Sequence, residues 1–296
     1  MKKIILICAL LLAGCNQPVP TQPAAEAPQV EAPQQAEGME MTSEPELTAP
    51  PVGQPPVQNA PLSKLPTGPL TLVALGDSLT QGDGDDSGRG GYPGRLLEMV
   101  NVTHPDSTIT NYGQSGWSSD ALINGDLGIE SQLTRAVAEL QSAASQGRGT
   151  VAFVWIGSND LWYLYEYGGE GSNENDSMDA ERFSANIDLI LGQLRSTGAQ
   201  VIIAQLDDQS QRPVALKGEA FTAITQDELA RMSMQAARYN EIIDERAAQH
   251  GALVVDFFST DIFTNPATLY DDGNHPNSAG YDVITQKWFD VLSLIL

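Results

Sequence analysis

The sequence predicts an α/β protein in which five parallel strands form a central sheet covered by helices on both faces. Three observations predict it. Five short apolar, β-branched runs recur at residues 70–75, 108–112, 151–156, 201–206 and 253–257. They are continuous rather than alternating in polarity, as strands buried on both faces are. Helical patterns lie between them, and strands alternating with helices assemble as a parallel sheet wrapped by helices.

The elements follow in order. The first run breaks at Gly76 and then offers Asp77 and Ser78; the second ends before Gly113. A helix over 130–144 separates the second run from the third, which ends before Gly157, Ser158 and Asn159. Phe183, Ile187, Ile190 and Leu194 recur at helical spacing, with Gly198 as the stop. After the fourth run, Thr225 and Glu228 form a capping box. It opens a helix carrying Leu229, Met232, Tyr239, Ile242 and Ile243, with Gly251 beyond its end. The fifth run precedes a last helix over 278–294. Ligands of such sheets bind at the carboxyl ends of the strands. Ser78, the stretch after Tyr112 and the stretch after Ile156 all fall there. No internal repeat is visible.

The chain begins differently. Lys2 and Lys3 precede an apolar run over 4–12, too short to span a bilayer, which takes roughly 20 apolar residues. It ends in Leu12-Ala13-Gly14-Cys15, which resembles the lipobox of bacterial lipoproteins. That resemblance implies a signal over 1–15, lipidation of Cys15 and a membrane anchor in the cell envelope. Asn16 in place of an aspartate favours the outer membrane. The other reading is an ordinary secretory signal with an incidental cysteine. Residues 16–66 are rich in Pro, Gln, Ala and Glu and hold no Phe, Trp or Tyr, so they cannot bury enough surface to fold. They read as a tether of about 40 Å root-mean-square reach as a coil, or as a protein-binding arm. Residues 67–296 remain for one catalytic domain.

Composition excludes several functions. Of the two cysteines, Cys8 lies in the signal, so a disulfide within the mature chain and a thiolate nucleophile are excluded. Acids outnumber bases 38 to 15, for a net charge of −23, which argues against nucleic acid as a partner. Solubility is the simple consequence, and low lysine with high aspartate also fits saline surroundings. Asp83-Gly84-Asp85-Asp86 lacks the downstream glutamate of an EF-hand loop and reads as a solvated acidic loop. No His-Glu-x-x-His occurs, and metal catalysis has no support in the sequence.

The chemistry points to a serine hydrolase. A serine needs a base to become a nucleophile at neutral pH, and the base needs an orienting partner. Ser78 and, far downstream, Asp272-Gly273-Asn274-His275 supply one plausible copy of each. Gly76-Asp77-Ser78-Leu79, Asn111-Tyr112-Gly113-Gln114-Ser115-Gly116, Gly157-Ser158-Asn159-Asp160 and Asp272-Gly273-Asn274-His275 together resemble the four blocks of the SGNH hydrolases of GDSL type. Each block alone is weak; all four occur in order at expected strand ends. The resemblance implies a flavodoxin-like three-layer α/β/α fold, ester or thioester hydrolysis and no cofactor. It implies Ser78 as nucleophile, Asp272 and His275 as the other triad members, and Gly116 and Asn159 as oxyanion donors. Chemically, the amides of Ser78 and Gly116 and the side chain of Asn159 supply three donors. Asp256, at a strand end, is the rival orienter of His275.

The blander readings stand beside these. A lone serine after a strand is usually a helix cap, and a lone asparagine is usually a turn residue. His104 and His250 read as structural or exposed, and Asp77, Asn111 and Asp160 as loop braces. Trp117, Trp162, Tyr163, Tyr165 and Tyr167 follow the two expected oxyanion loops. Aromatics at helical spacing are usually core; here Trp117, Trp162 and Tyr163 are candidate walls of an acyl or sugar pocket. The polar, Gly-rich stretch 168–177 is a candidate lid. The expected substrate is a small acyl ester or a lysophospholipid-like molecule. A carbohydrate O-deacetylase with the same triad is the alternative. A non-catalytic surface-binding module would be expected to lack Ser78, Asn159 or His275, and all three are present. The sequence leaves acyl length, hydrolysis against acyl transfer, and oligomeric state open.

Overall fold

Five strands, all parallel, order as β2-β1-β3-β4-β5 in a computed structural model that describes residues 64–167, 173–218 and 221–296. The expected signal with Cys15, and the expected tether up to residue 63, lie outside the described residues. The strands are β1 (Leu70–Gly76), β2 (Thr108–Asn111), β3 (Gly149–Trp155), β4 (Gln200–Ala204) and β5 (Leu253–Val255). Every residue of β1 and β3 is buried, as their largely apolar sequence requires, and the one polar residue of each, Thr71 and Thr150, is buried with the rest. The edge strands depart from that expectation: β2 is partly exposed throughout, and only Val255 of β5 is fully buried. An edge strand has no neighbour on one side, so its side chains stay partly wet.

The helices are α1 (Ser78–Gln81), α2 (Gly91–Thr103), α3 (Ser119–Asn124), α4 (Gln132–Ser145), α5 (Ser158–Tyr167), α6 (Asn173–Ser196), α7 (Pro213–Lys217), α8 (Gln226–His250) and α9 (Ser278–Leu292). α2 and α9 pack together on one face of the sheet, while α4, α6 and α8 form the other layer. The first layer is filled by rings: Trp155 of β3 stacks on Phe257 at 4.3 Å, and Trp288 of α9 stacks on Tyr92 of α2 at 5.1 Å. In the other layer, Phe183 of α6 stacks on Tyr239 of α8 at 3.8 Å. The apolar positions of α6 read from the sequence, Phe183, Ile187, Ile190 and Leu194, are all buried. The capping box of Thr225 and Glu228 opens α8, and Gly251 ends it at φ +63°.

Two boundaries move. The chain docks before the expected domain start at 67: the Leu65 amide donates to the Ile295 carbonyl at 2.7 Å, and Lys64 Nζ donates to the Leu296 carbonyl at 2.8 Å. The expected lid over 168–177 is partly helix, since α6 starts at Asn173; residues 168–172 lie outside the described residues. Among the described residues no helix is long and apolar enough to cross a membrane.

The strand order places the site. The chain leaves β1 toward β2 on one side, and leaves β3 toward β4 on the other. The crevice outside the carboxyl ends of β1 and β3 is therefore the point where the connections diverge, the usual ligand position in such sheets. Ser78 follows β1 there and Asn159 follows β3.

Candidate active site

A chain of hydrogen bonds joins the three residues expected to act together. His275 Nε2 lies 3.0 Å from Ser78 Oγ, and its Nδ1 lies 2.7 Å from Asp272 Oδ2. The second oxygen of Asp272 accepts the Asn274 and His275 amides at 2.8 and 2.9 Å. Burial works to raise the Asp272 carboxyl, but these bonds from His275 and Asn274 outweigh it and hold the group below its ordinary value. A carboxylate fixed in this way accepts from Nδ1, so Nε2 is the nitrogen left to take a proton from Ser78. Asp256, the rival orienter, is engaged elsewhere: its oxygens accept from the amide and hydroxyl of Ser259.

Ser78 is not the cap of its helix. Asp77 is, accepting the Leu79 amide at 2.9 Å, and Ser78 opens α1. An amide in the first turn of a helix has no upstream carbonyl to bind, so the Ser78 N–H is free to point at a ligand. Gln132 fixes Gly76, two residues before Ser78: its side chain both donates to the Gly76 carbonyl and accepts the Gly76 amide, each at 2.8 Å. No signal in the sequence marks Gln132, which reads as an ordinary residue of an amphipathic helix.

Asp77 is 1% exposed, and its Oδ2 has no hydrogen-bond partner. Burial pushes its carboxyl up from 3.8 to about 7; the Leu79 amide and Arg212 oppose the rise, and Asp160 and Asp207 add to it. This sets the sign of a pH effect on stability. The folded state holds the proton more tightly than the unfolded chain. The resulting stabilisation is complete below about pH 3.8 and is lost as pH rises through about 7. The span corresponds to a loss on the order of 4 kcal/mol. Asp77→Asn keeps an oxygen for Leu79 and cannot ionise. Its stability relative to the wild type should therefore climb between pH 4 and 7 and level off above. Urea unfolding of both proteins across that range checks this, and a constant difference would refute it.

The second and third blocks form one loop system. Asn111 donates to the Thr80 carbonyl at 2.8 Å and accepts the Gly113 amide at 2.9 Å, which ties the loop after β2 to α1. The Ser115 amide donates to Gln81 Oε1 at 2.6 Å. Asn159 Nδ2 donates to the Trp117 carbonyl at 3.0 Å, and the Tyr163 hydroxyl donates to the Gly116 carbonyl at 2.6 Å. Asp160 is a brace, as expected: it is buried and accepts the Ser119 amide at 2.8 Å, with Arg182 beside it at 3.1 Å. These bonds tie the segments that carry Ser78, Gly116 and Asn159 to one another.

Two buried arginines that the sequence did not mark hold the loops together. Arg212, 1% exposed, pairs with Asp207 through Nη2 and Nε, one edge of its guanidinium, at 2.6 and 2.8 Å. Its remaining arm donates to Asn274 Oδ1 at 2.8 Å, between Asp272 and His275. Arg95 is buried to the same degree and pairs with Asp85 at 2.5 Å. The stretch 83–86 is therefore only in part the solvated acidic loop expected: Asp86 is exposed, but the side chain of Asp85 is buried against Arg95. Burial works to raise the Asp85 carboxyl, but Arg95, Ser87 and Gly91 hold it well below the carboxylate range. The loop also lies against His275: a Cβ on Gly84 would fall 2.9 Å from His275 Cβ and 2.5 Å from the Pro276 carbonyl.

The aromatic expectations divide. Trp117 and Trp162 are buried, whereas Tyr163 is 38% exposed. Trp162 stacks on Phe221 at 4.1 Å in a second apolar cluster with Tyr165, Leu229 and Met232. Tyr163 alone of the three presents a ring to solvent, beside the more exposed Tyr167 at 5.7 Å. His104 is buried at the end of α2, and His250 closes α8 with its Nε2 2.8 Å from Asp188. Neither contacts the crevice. Among the described residues no cluster of His, Cys, Asp and Glu is arranged to hold a metal.

The model of the GDSL-like lipase/acylhydrolase family matches residues 74–283. The chain is similar to the uncharacterised protein YpmR of Bacillus subtilis (strain 168), 24% identical over 230 residues that cover 75% of this chain and 81% of that protein. Among solved structures it resembles Axe2, an acetylxylan esterase from Geobacillus stearothermophilus, with a TM-score of 0.51 and 18% identity over 76% of this chain and 95% of that one. It resembles TesA to the same TM-score of 0.51, with 18% identity over 76% of this chain and 99% of that one. At such identities the likeness to these two structures is one of fold.

Proposed function

This chain belongs to the GDSL-like lipase/acylhydrolase family and is a carboxylic ester hydrolase, and from that premise we propose that it cleaves small acyl esters or lysophospholipid-like substrates through an acyl-enzyme on Ser78. The observation that carries the reading is the unbroken relay from Ser78 Oγ through His275 to Asp272. His275 Nε2 takes the hydroxyl proton as Ser78 attacks the acyl carbon. The negative charge collects on the former carbonyl oxygen, where the amides of Ser78 and Gly116 and the Asn159 side chain donate to it. His275 then returns the proton to the leaving alcohol, and water repeats the sequence to release the acid. Asp272, ionised across the working range, keeps Nδ1 protonated and offsets the charge on the imidazolium.

The exposed rings of Tyr163 and Tyr167 beside the oxyanion loop suit an acyl chain. They equally suit the face of a sugar, which favours carbohydrate O-deacetylation as the second reading. A series of nitrophenyl esters of rising chain length, run beside a lysophospholipid and acetylated xylan with Ser78→Ala as blank, separates them. Turnover of short esters or lysophospholipid supports the first reading. Release of acetate from xylan with little action on the others supports the second. No turnover of any ester would overturn both.

The envelope address remains a proposal resting on residues 1–15. Lipid on Cys15 would hold the domain at the membrane through residues 16–63. Cys15→Ser should move the protein from the membrane pellet to the supernatant with specific activity unchanged. A variant that still pellets would argue for another anchor.

A further inference from the structure

Gly116 poses a mechanical problem. Its amide is a proposed oxyanion donor, and it is the exposed residue of its loop, at φ +78°. A glycine explores more backbone conformations than any other residue, whereas an oxyanion donor acts well only if its aim is set in advance. Something must remove that freedom.

Two flanking contacts do so. The amide of Gly116 belongs to the peptide unit shared with Ser115, and the Ser115 amide is tied to Gln81 at 2.6 Å. On the other side, the carbonyl of Gly116 accepts the Tyr163 hydroxyl at 2.6 Å. The next carbonyl, that of Trp117, accepts Asn159 Nδ2 at 3.0 Å. Asn159 and Tyr163 are four residues apart on α5 and so share one face of the helix. That face grips two successive carbonyls of the loop. The fit is close: a Cβ on Gly116 would stand 3.3 Å from the Tyr163 hydroxyl.

We infer that Tyr163 is a positioning residue of the oxyanion hole, its hydroxyl clamping the Gly116 carbonyl so that the Gly116 amide is aimed before substrate arrives. The inference deepens the proposed function and rests on its assignment of Gly116. It also gives Tyr163 a task other than walling a pocket. The hydroxyl must stay protonated to donate. Burial, together with Tyr167, Asp77, Asp126 and Asp160, shifts its ionisation upward, which keeps it a donor.

Tyr163→Phe deletes the clamp and keeps the ring. On a short nitrophenyl ester kcat should fall about tenfold or more with KM within twofold. Inactivation by an organophosphonate ester, whose adduct places an oxygen in the same hole, should slow by the same factor. The melting temperature should hold. Three results would overturn the inference: an unchanged kcat, a rise in KM at constant kcat, or a loss of activity matched by loss of folded protein. Ser78→Ala in the same series keeps the two claims apart. Full activity in Ser78→Ala would remove the acyl-enzyme reading itself. An inactive Ser78→Ala beside a fully active Tyr163→Phe would remove only the clamp.

Discussion

Replacing Ser78 with alanine should cut ester turnover at least about 10⁴-fold while leaving the circular dichroism spectrum and melting temperature unchanged. Ser78 is partly exposed at the start of α1, and Asp77 rather than Ser78 caps that helix, so the hydroxyl has little structural duty. His275→Ala should be about as damaging. Each residue is useless without the other, because the hydroxyl is a poor nucleophile until Nε2 takes its proton. The double variant should therefore be little worse than either single one. Additive losses would mean that the two act on separate steps. Activity within tenfold of the wild type in Ser78→Ala would dismiss the relay altogether.

Arg212→Ala is expected to produce the largest loss of stability, about 3–5 kcal/mol by urea unfolding. The guanidinium is buried, pairs with both oxygens of Asp207 and reaches Asn274. Truncation leaves a buried carboxylate with no compensating charge, which is much costlier than losing the pair as a whole. Asp207→Leu combined with Arg212→Met should accordingly be less destabilised than Arg212→Ala. Turnover per folded molecule should also fall in both, since Asn274 loses its anchor beside His275. A single variant within about 1 kcal/mol of the wild type would show that water replaces the guanidinium and that the pair is not truly sequestered.

These effects also divide what the chain discloses from what it conceals. β1, β3 and β4 were legible because a strand buried on both faces is apolar almost throughout, as 151–156 are at every position and 70–75 are apart from Thr71. α8 was legible because Thr225, Glu228 and Gly251 mark its ends by local chemistry. α2 was not: Gly91 and Gly94 disfavour helix, and it is burial of Tyr92, Leu96 and Val100 that imposes it. The same division holds in the site. Ser78, Asn159 and His275 stand in short blocks whose residue types are dictated by what they would do. Gln132, Arg95 and Arg212 act through contacts 56, 187 and 62 residues away in the chain, and no local pattern announces them. The acidic loop misled for that reason: Asp85 looks solvated until Arg95, ten residues on, folds over it.

The contact between Ser78 and His275 spans 197 residues of chain. Closing so large a loop is entropically unfavourable, and a parallel sheet defers its rewards because each strand pairs with one far away in sequence. α4, α6 and α8 can form from local signals long before β5 finds β4 and carries the His275 loop across to β1. During refolding, helical signal would therefore return ahead of catalysis. The interval between the two measures how long the molecule exists as a nearly complete sheet whose Ser78 and His275 have yet to meet.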